Sequence, residues 1–191
     1  MMDRFEPLET LHIVERERVT MFGQVPAMYL MQFGLPQFKQ TDFSSVRVYA
    51  WGGATASKLV LDVLAGLAER YGAKLATGYG ATEMCGFVTY SHPDDSFDTF
   101  LQAAGRCAPS FELRIVDDHR RDVPTGQIGE IAVRGPFVMK EYWNKPDQTA
   151  AVLDADGWYY SGDLGRVDER GNVYISSRKS EMFKTGGENV F

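Results

Sequence analysis

Apolar positions in the first half of the chain form short runs that alternate with stretches of helical spacing. Val19-Thr20-Met21-Phe22 predicts a strand, Gly23-Gln24-Val25-Pro26 a loop, and Ala27 to Phe33 a short helix. Val46 to Ala50 predicts a second strand, followed by a loop at Gly52-Gly53-Ala54-Thr55. Leu59, Val60, Val63, Leu64, Leu67, Ala68 and Tyr71 then recur at helical intervals, which predicts a long helix ended by Gly72. Lys74 to Thr77 predicts a third strand running into Gly78-Tyr79-Gly80-Ala81-Thr82-Glu83. Strand, helix, strand implies parallel neighbours. Parallel strands end on one edge of their sheet, where open α/β folds bind ligands, so loops 23–26, 52–55 and 78–83 are expected along one rim.

After Pro93 the period changes. Glu112 to Val116 and Ile128 to Arg134 alternate in period two, joined by a polar segment with Pro124, Thr125 and Gly126. Asp163 to Asp168 and Asn172 to Ser176 predict a hairpin around Glu169-Arg170-Gly171. The expected fold is therefore α/β: a subdomain with a mainly parallel sheet, then a mostly antiparallel β lobe resembling a small barrel. The boundary is expected in the polar stretch Ser91 to Thr99. Lys184 to Asn189 predicts a turn, and Val190-Phe191 the start of the element it introduces, so the chain is expected to have been cut there.

Composition narrows the function classes. Hydrophobic residues at 44% and charged residues at 24% are ordinary for a globular protein. No apolar run approaches the roughly 20 residues that cross a bilayer, so no transmembrane segment is expected. A formal charge of -6 without a Lys/Arg stripe argues against a nucleic-acid surface. Cys85 and Cys107 stand in different contexts, and the N-terminal stretch has neither the basic start nor the apolar core of a secretory signal. A reducing compartment follows, with the cytoplasm as the expected location. His12, His92 and His119 are scattered without metal-ligand spacing, and the oligomeric state is not legible.

The loop at 78–83 has chemistry suited to a nucleotide and its metal. Glycines allow close backbone approach, Tyr79 offers a flat face, Thr82 a hydroxyl and Glu83 hard oxygens for Mg²⁺. Equally, Thr82 could cap a helix whose dipole Glu83 favours. Gly52-Gly53-Ala54 reads alike as a tight turn before a helix capped by Thr55 or Ser57. Asp163, after Tyr159-Tyr160-Ser161-Gly162, could accept hydrogen bonds from both hydroxyls of a ribose or initiate a turn.

The ordered set GGAT, GYGATE, GEIAVRGPFVMKEYW, GWYYSGDLGRVDERGNVYI and SRKSEMFKTGGENV resembles the acyl-CoA synthetase branch of the adenylate-forming enzymes, with MFGQVPAMY extending the likeness toward the start. The resemblance implies a chain within such an enzyme: residues 1–95 the second α/β subdomain of the adenylating domain, 96–176 a β-lobe subdomain, and 177–191 the hinge and the start of the C-terminal domain. It also implies the reaction, in which a carboxylate and ATP give acyl-AMP and pyrophosphate, and CoA then takes the acyl group as a thioester.

By the same resemblance, Tyr79 stacks on adenine, with Gly52, Gly53, Ala54, Gly78 and Gly80 bordering the nucleotide. Thr82 contacts phosphate, Glu83 coordinates Mg²⁺, and Asp163 and Arg178 hold the ribose of ATP or AMP. Thr82 and Glu83 are thereby the candidate catalytic pair. Val25, Met28, Gly78, Met84 and Cys85 are candidate walls of an acyl pocket, with plain core packing as the alternative. Ser177 takes the hinge position, where Asp or another polar residue is usual, and Ser161 stands where threonine is usual. The family's lysine-bearing Ser/Thr/Gly-rich phosphate loop and its C-terminal catalytic lysine have no counterpart here, so these residues alone are expected to be inactive. Two alternatives stay open: an adenylation domain that loads a carrier protein, and a non-catalytic nucleotide-binding or interaction module on the same scaffold.

Overall fold

The computed structural model describes residues 3–180 in full and the backbone of 183–185 and 188–190. Two compact units divide the chain, Met1–Thr77 with Ser91–Gln102, and Gly78–Tyr90 with Ala103–Phe191.

In the first unit, α1 (Pro7–Arg16) opens on a proline, whose missing N–H costs a helix start nothing. β1 (Met21–Gln24) precedes α2 (Pro26–Phe33), β2 (Val48–Trp51) precedes α3 (Lys58–Tyr71), and β3 (Lys74–Thr77) is followed, after the excursion 78–90, by α4 (Phe97–Gln102). The strands pair in parallel in the order β1-β2-β3, with Gln24, Trp51 and Thr77 on one register row. All three therefore end level at the sheet's C-terminal edge, as expected from the strand–helix–strand pattern. β1 begins two residues later than its apolar run suggests.

Ser57 caps α3, its Oγ accepting from the Val60 N–H at 3.4 Å. Gly72 closes the helix in the left-handed region, φ 67°, where glycine is favoured. Leu11, Tyr29, Tyr49, Val60, Leu61 and Leu64 are fully buried in one cluster on the helix-facing side. Tyr29 directs its hydroxyl at the carbonyls of Phe22 (2.6 Å) and Ala50 (2.9 Å), so its phenol enters the core without an unpaired polar atom.

The second unit begins with β4 (Gly80–Ala81), β5 (Gly86–Phe87) and β6 (Thr89–Tyr90), the last paired with β7 (Arg106–Cys107). Its main sheet contains β8 (Glu112–Val116), β9 (Gly129–Arg134), β10 (Tyr159–Val167) and β11 (Val173–Arg178), with α5 (Pro146–Val152) between β9 and β10. All pairings are antiparallel, in the order β11-β10-β9-β8. Short segments bridge the outer strands, the Val123 N–H donating to the Ile115 carbonyl beside β8 and the Ala104 N–H to the Val173 carbonyl beside β11. Among the described residues β8 and β11 do not pair with each other, so the expected barrel likeness is corrected: the four strands form an open sheet. The β10–β11 turn is built as its sequence suggests, with Asp168 Oδ1 accepting from the N–H groups of Arg170 (2.9 Å) and Asn172 (2.8 Å) and Gly171 at φ 80°.

β12 (Phe183–Thr185) and β13 (Glu188–Val190) form an antiparallel pair around the expected turn. The turn glycines Gly186 and Gly187, and Phe191, lie outside the described residues. No helix among the described residues is long and apolar enough to cross a membrane. Cys85 and Cys107 are both free thiols.

Candidate functional site

Tyr79 leaves β3 with its backbone already committed. Its N–H donates to Thr89 Oγ1 (2.8 Å), and its carbonyl accepts from the N–H groups of Val88 (2.8 Å) and Thr89 (3.1 Å). Thr89, fully buried, donates in turn to the Ala104 carbonyl. Gly78 and Gly80 are glycines because this hairpin leaves no room for a β-carbon. One at Gly78 would meet the Thr89 carbonyl and the Phe87 ring, and one at Gly80 would lie 2.6 Å from Phe87 Cα. The close approach that motivated a ligand assignment is first an approach to their own neighbouring strand.

At the tip, Thr82 to Met84 make a single 3₁₀ turn whose N-cap is Ala81, so Thr82 does not cap it. Thr82 is exposed, Glu83 half-buried, and Met84 buried in the second unit's apolar cluster. Cys85 is exposed at φ 55°. Val25 and Met28 lie on the first unit at the β1–α2 junction, exposed and half-buried respectively. Gly52, Gly53 and Ala54 follow β2 in the same unit, with Gly53 at φ 76°.

Asp163 comes to Tyr79 from 84 residues away. Its carboxylate is buried in β10, where Oδ2 accepts from the Tyr79 hydroxyl at 2.7 Å and Oδ1 faces Arg178 Nε at 2.9 Å. It does not start a turn. A bulge between Tyr160 and Leu164, with Gly162 at φ 74°, sets the local backbone. Glu130 and Lys179 grip that bulge from both sides. Glu130 Oε1 accepts from the Gly162 N–H (3.0 Å), and the Lys179 N–H donates to the Gly162 carbonyl (2.7 Å). The Lys179 ammonium closes the loop onto Glu130 Oε2 (3.1 Å) and Asp118 Oδ1 (3.0 Å). Ser161 donates to the Ile131 carbonyl (2.8 Å) and accepts from the Asp163 N–H (3.1 Å). Its hydroxyl thus orients the aspartate backbone.

Ser177 lies inside β11, paired with Leu164, and its Oγ is buried without a hydrogen-bond partner among the described residues. The expected hinge position thus lies between a register shift, where Gly165 pairs with Ile175, and the Asp163–Arg178 pair that ends the ladder.

Sequence reasoning missed Tyr142. Its hydroxyl donates to Glu83 Oε1 at 2.8 Å, and the Met139 N–H donates to the Glu83 carbonyl at 2.7 Å. The clues to Tyr142 in the sequence were an aromatic residue in a polar loop, which any surface tyrosine provides, and a place inside the GEIAVRGPFVMKEYW stretch, which by itself assigns it no role. Glu83, Tyr142, Tyr159, Ser161, Gly162 and Arg178 are among the residues lining a cavity of about 390 Å³, with Arg120 and Lys179 on its wall. That volume lies within the small-molecule range of roughly 300–1,000 Å³.

Burial pushes the Tyr79 phenol well above the usual range, with the Asp163 charge adding to the rise. The Tyr142 phenol is also raised, first by burial and then by its bond to Glu83. Both remain hydrogen-bond donors at neutral pH. Among the described residues no three His, Cys, Asp or Glu side chains gather as a metal cage. The donor set, a half-buried Glu83 carboxylate with one oxygen already bonded to Tyr142, is compatible with a Mg²⁺ that keeps its waters and takes one carboxylate oxygen beside phosphate oxygens.

The family model for the AMP-binding enzymes matches residues 1–143. Over 188 residues the chain is 40% identical to the indoleacetate–CoA ligase of Aromatoleum aromaticum, covering 98% of this chain and 36% of that protein. It superposes on the amide bond synthetase McbA of Marinactinospora thermotolerans with a TM-score of 0.85 at 34% identity, covering 99% of this chain and 37% of that one. The O-succinylbenzoate coenzyme A synthetase MenE of Bacillus subtilis, in complex with ATP and magnesium ion, gives a TM-score of 0.81 at 30% identity, covering 99% of this chain and 38% of that one. The chain spans a little over a third of the length of each.

Proposed function

We propose, for a chain that belongs to the AMP-binding enzymes in their acyl-CoA ligase branch, that its second unit grips the adenosine of ATP and of an acyl adenylate. The protein that contains it then joins a carboxylic acid to CoA. Relatives of this family use ATP with Mg²⁺ and CoA, which supports the same cofactors here.

Asp163 carries the proposal. Keeping a carboxylate buried is costly unless it is hydrogen-bonded, and this one is bonded to the hydroxyl of the tyrosine that would lie against adenine. Each carboxylate oxygen accepts more than one hydrogen bond, so Asp163 can receive ribose hydroxyls while retaining Tyr79 and Arg178. In this reading Gly78 and Gly80 shape the loop, Thr82 presents its exposed hydroxyl to phosphate, and Glu83 holds Mg²⁺. Cys85, and Met84 through the shape of the core, border the acyl group, and Ser177 is the point about which the following segment turns. The roles of Gly52, Gly53, Ala54, Val25 and Met28 rest on the resemblance alone.

The chemistry is attack of the carboxylate on the α-phosphorus with departure of pyrophosphate, followed by attack of the CoA thiol on the acyl carbon with departure of AMP. Positioning and charge neutralisation carry the first step. The 191 residues by themselves bind nucleotide without releasing pyrophosphate, because no lysine-bearing phosphate loop lies among them. Two free thiols are in keeping with a cytoplasmic site of action.

The test is carboxylate-dependent exchange of labelled pyrophosphate into ATP by a protein containing this chain, across acids from acetate through aryl acids to long fatty acids. Exchange with one class of acid supports the reading, and no exchange with any of them overturns it. The likeness to an amide bond synthetase favours a second reading, in which an amine replaces the thiol as acceptor. Supplying CoA or an amine to the preformed adenylate, and identifying the product, separates the two.

A further inference from the structure

Glu83 is more firmly held than a carboxylate on a three-residue turn has reason to be. Its carbonyl accepts from the Met139 N–H and its carboxylate from the Tyr142 hydroxyl, so segment 139–142 clasps one residue by backbone and side chain together. That segment is itself pinned. The Tyr142 N–H donates to Thr149 Oγ1 (2.9 Å) on α5, and the Tyr142 carbonyl accepts from the Lys145 N–H (3.1 Å). The phenol thus reaches Glu83 from a fixed base, across 59 residues of sequence, and both side chains line the same cavity.

We propose that Tyr142 is a positioning residue: by occupying Oε1 of Glu83 it fixes the carboxylate so that Oε2 is presented to the divalent cation of a bound nucleotide. The proposal rests on the reading of Glu83 as the Mg²⁺ ligand. Mg²⁺ demands near-octahedral geometry and surrenders its water reluctantly, so the direction of a single protein oxygen counts for more than negative charge nearby. Among the described residues no three His, Cys, Asp or Glu side chains gather as a cage, and the other carboxylates that line the cavity, Asp118 and Glu130, are both taken by the Lys179 ammonium.

The decisive quantity is the factor by which Mg²⁺ strengthens ATP binding to the 191-residue chain. It is obtained by titrating ATP calorimetrically with and without the metal, for wild type, Tyr142→Phe and Glu83→Gln. The metal-free affinity reports whether each variant keeps a formed nucleotide site. Loss of a partner that orients a metal ligand typically costs about 10–100-fold in metal affinity, so Tyr142→Phe is expected to lower the Mg²⁺ factor about ten-fold while the metal-free affinity holds. Glu83→Gln is expected to abolish the factor. If Tyr142→Phe weakens both affinities alike, or leaves both unchanged, while Glu83→Gln abolishes the factor, Tyr142 is only a structural residue and the proposal falls. If the wild-type chain shows no Mg²⁺ factor, or Glu83→Gln leaves it intact, the Glu83 reading falls and takes the proposal with it.

Discussion

The first unit fills its interior with Leu11, Tyr29, Phe43, Tyr49, Leu61 and Leu64 and one amide, Gln32, whereas the second places a carboxylate, Asp163, among its buried residues. Asp163 is the one buried charge among the described residues. A core built of rings and branched chains gains from every apolar surface it hides. A buried carboxylate gains only what its hydrogen bonds return, and stability alone gives little reason to keep it. The contrast separates a region whose interior explains itself by packing from a region whose buried charge does not, and the second is where the proposed adenosine site lies.

The largest effect should come from breaking the apolar side of that comparison. Leu61→Ala removes a fully buried side chain from the sheet-facing side of α3 and should cost about 2–5 kcal/mol, read as a lower midpoint in urea unfolding of the chain. Asp163→Ala should do less to stability and more to binding. Losing a charge-assisted hydrogen-bond acceptor should weaken AMP by about 1.5–3 kcal/mol in a calorimetric titration. Equal AMP affinity in the variant would sever Asp163 from the ribose.

The smallest effect lies at the β10–β11 turn. Burial opposes ionisation of Asp168, but hydrogen bonds from the Asn172 side chain and N–H, the Tyr174 hydroxyl and the Arg170 N–H outweigh it and hold the carboxyl at about 2. The unfolded carboxyl titrates near ~3.9, so as pH falls the unfolded chain takes up the proton first. The stabilisation is fully present above about pH 4 and is lost as pH drops toward 2. Asp168→Asn should flatten part of that acid loss in urea midpoints measured from pH 5 to pH 2. An unchanged pH profile would mean that the turn contributes nothing measurable.

The parallel sheet was legible because its signal is local: the α3 periodicity, Gly72 and the short apolar strands each announce themselves within a few residues. α1 was equally legible from Pro7 with Leu8, Leu11 and Val14 at helical spacing, yet the sequence reading passed over it. The site was legible only in its separate pieces. Tyr79 with Asp163, Thr89 with Ala104 and Glu83 with Tyr142 are contacts over 84, 15 and 59 residues, which no window of periodicity spans. For the same reason residues 78–90 read as a continuation of the first region, whereas they pack within the second unit. The bulge at Gly162 was hidden too, since a glycine between Ser161 and Asp163 suggests a turn as readily as a kinked strand.

The excursion of residues 78–90 is closed at its base, where Ser91 Oγ accepts from the Thr77 N–H (2.9 Å) and the Ser91 N–H donates to the Thr77 carbonyl (2.9 Å). With the later passage after Gln102, the backbone changes units at three places. No single nick or terminal truncation can therefore yield either half whole and free of the other. Dissecting this molecule will require rewiring its chain order rather than shortening it.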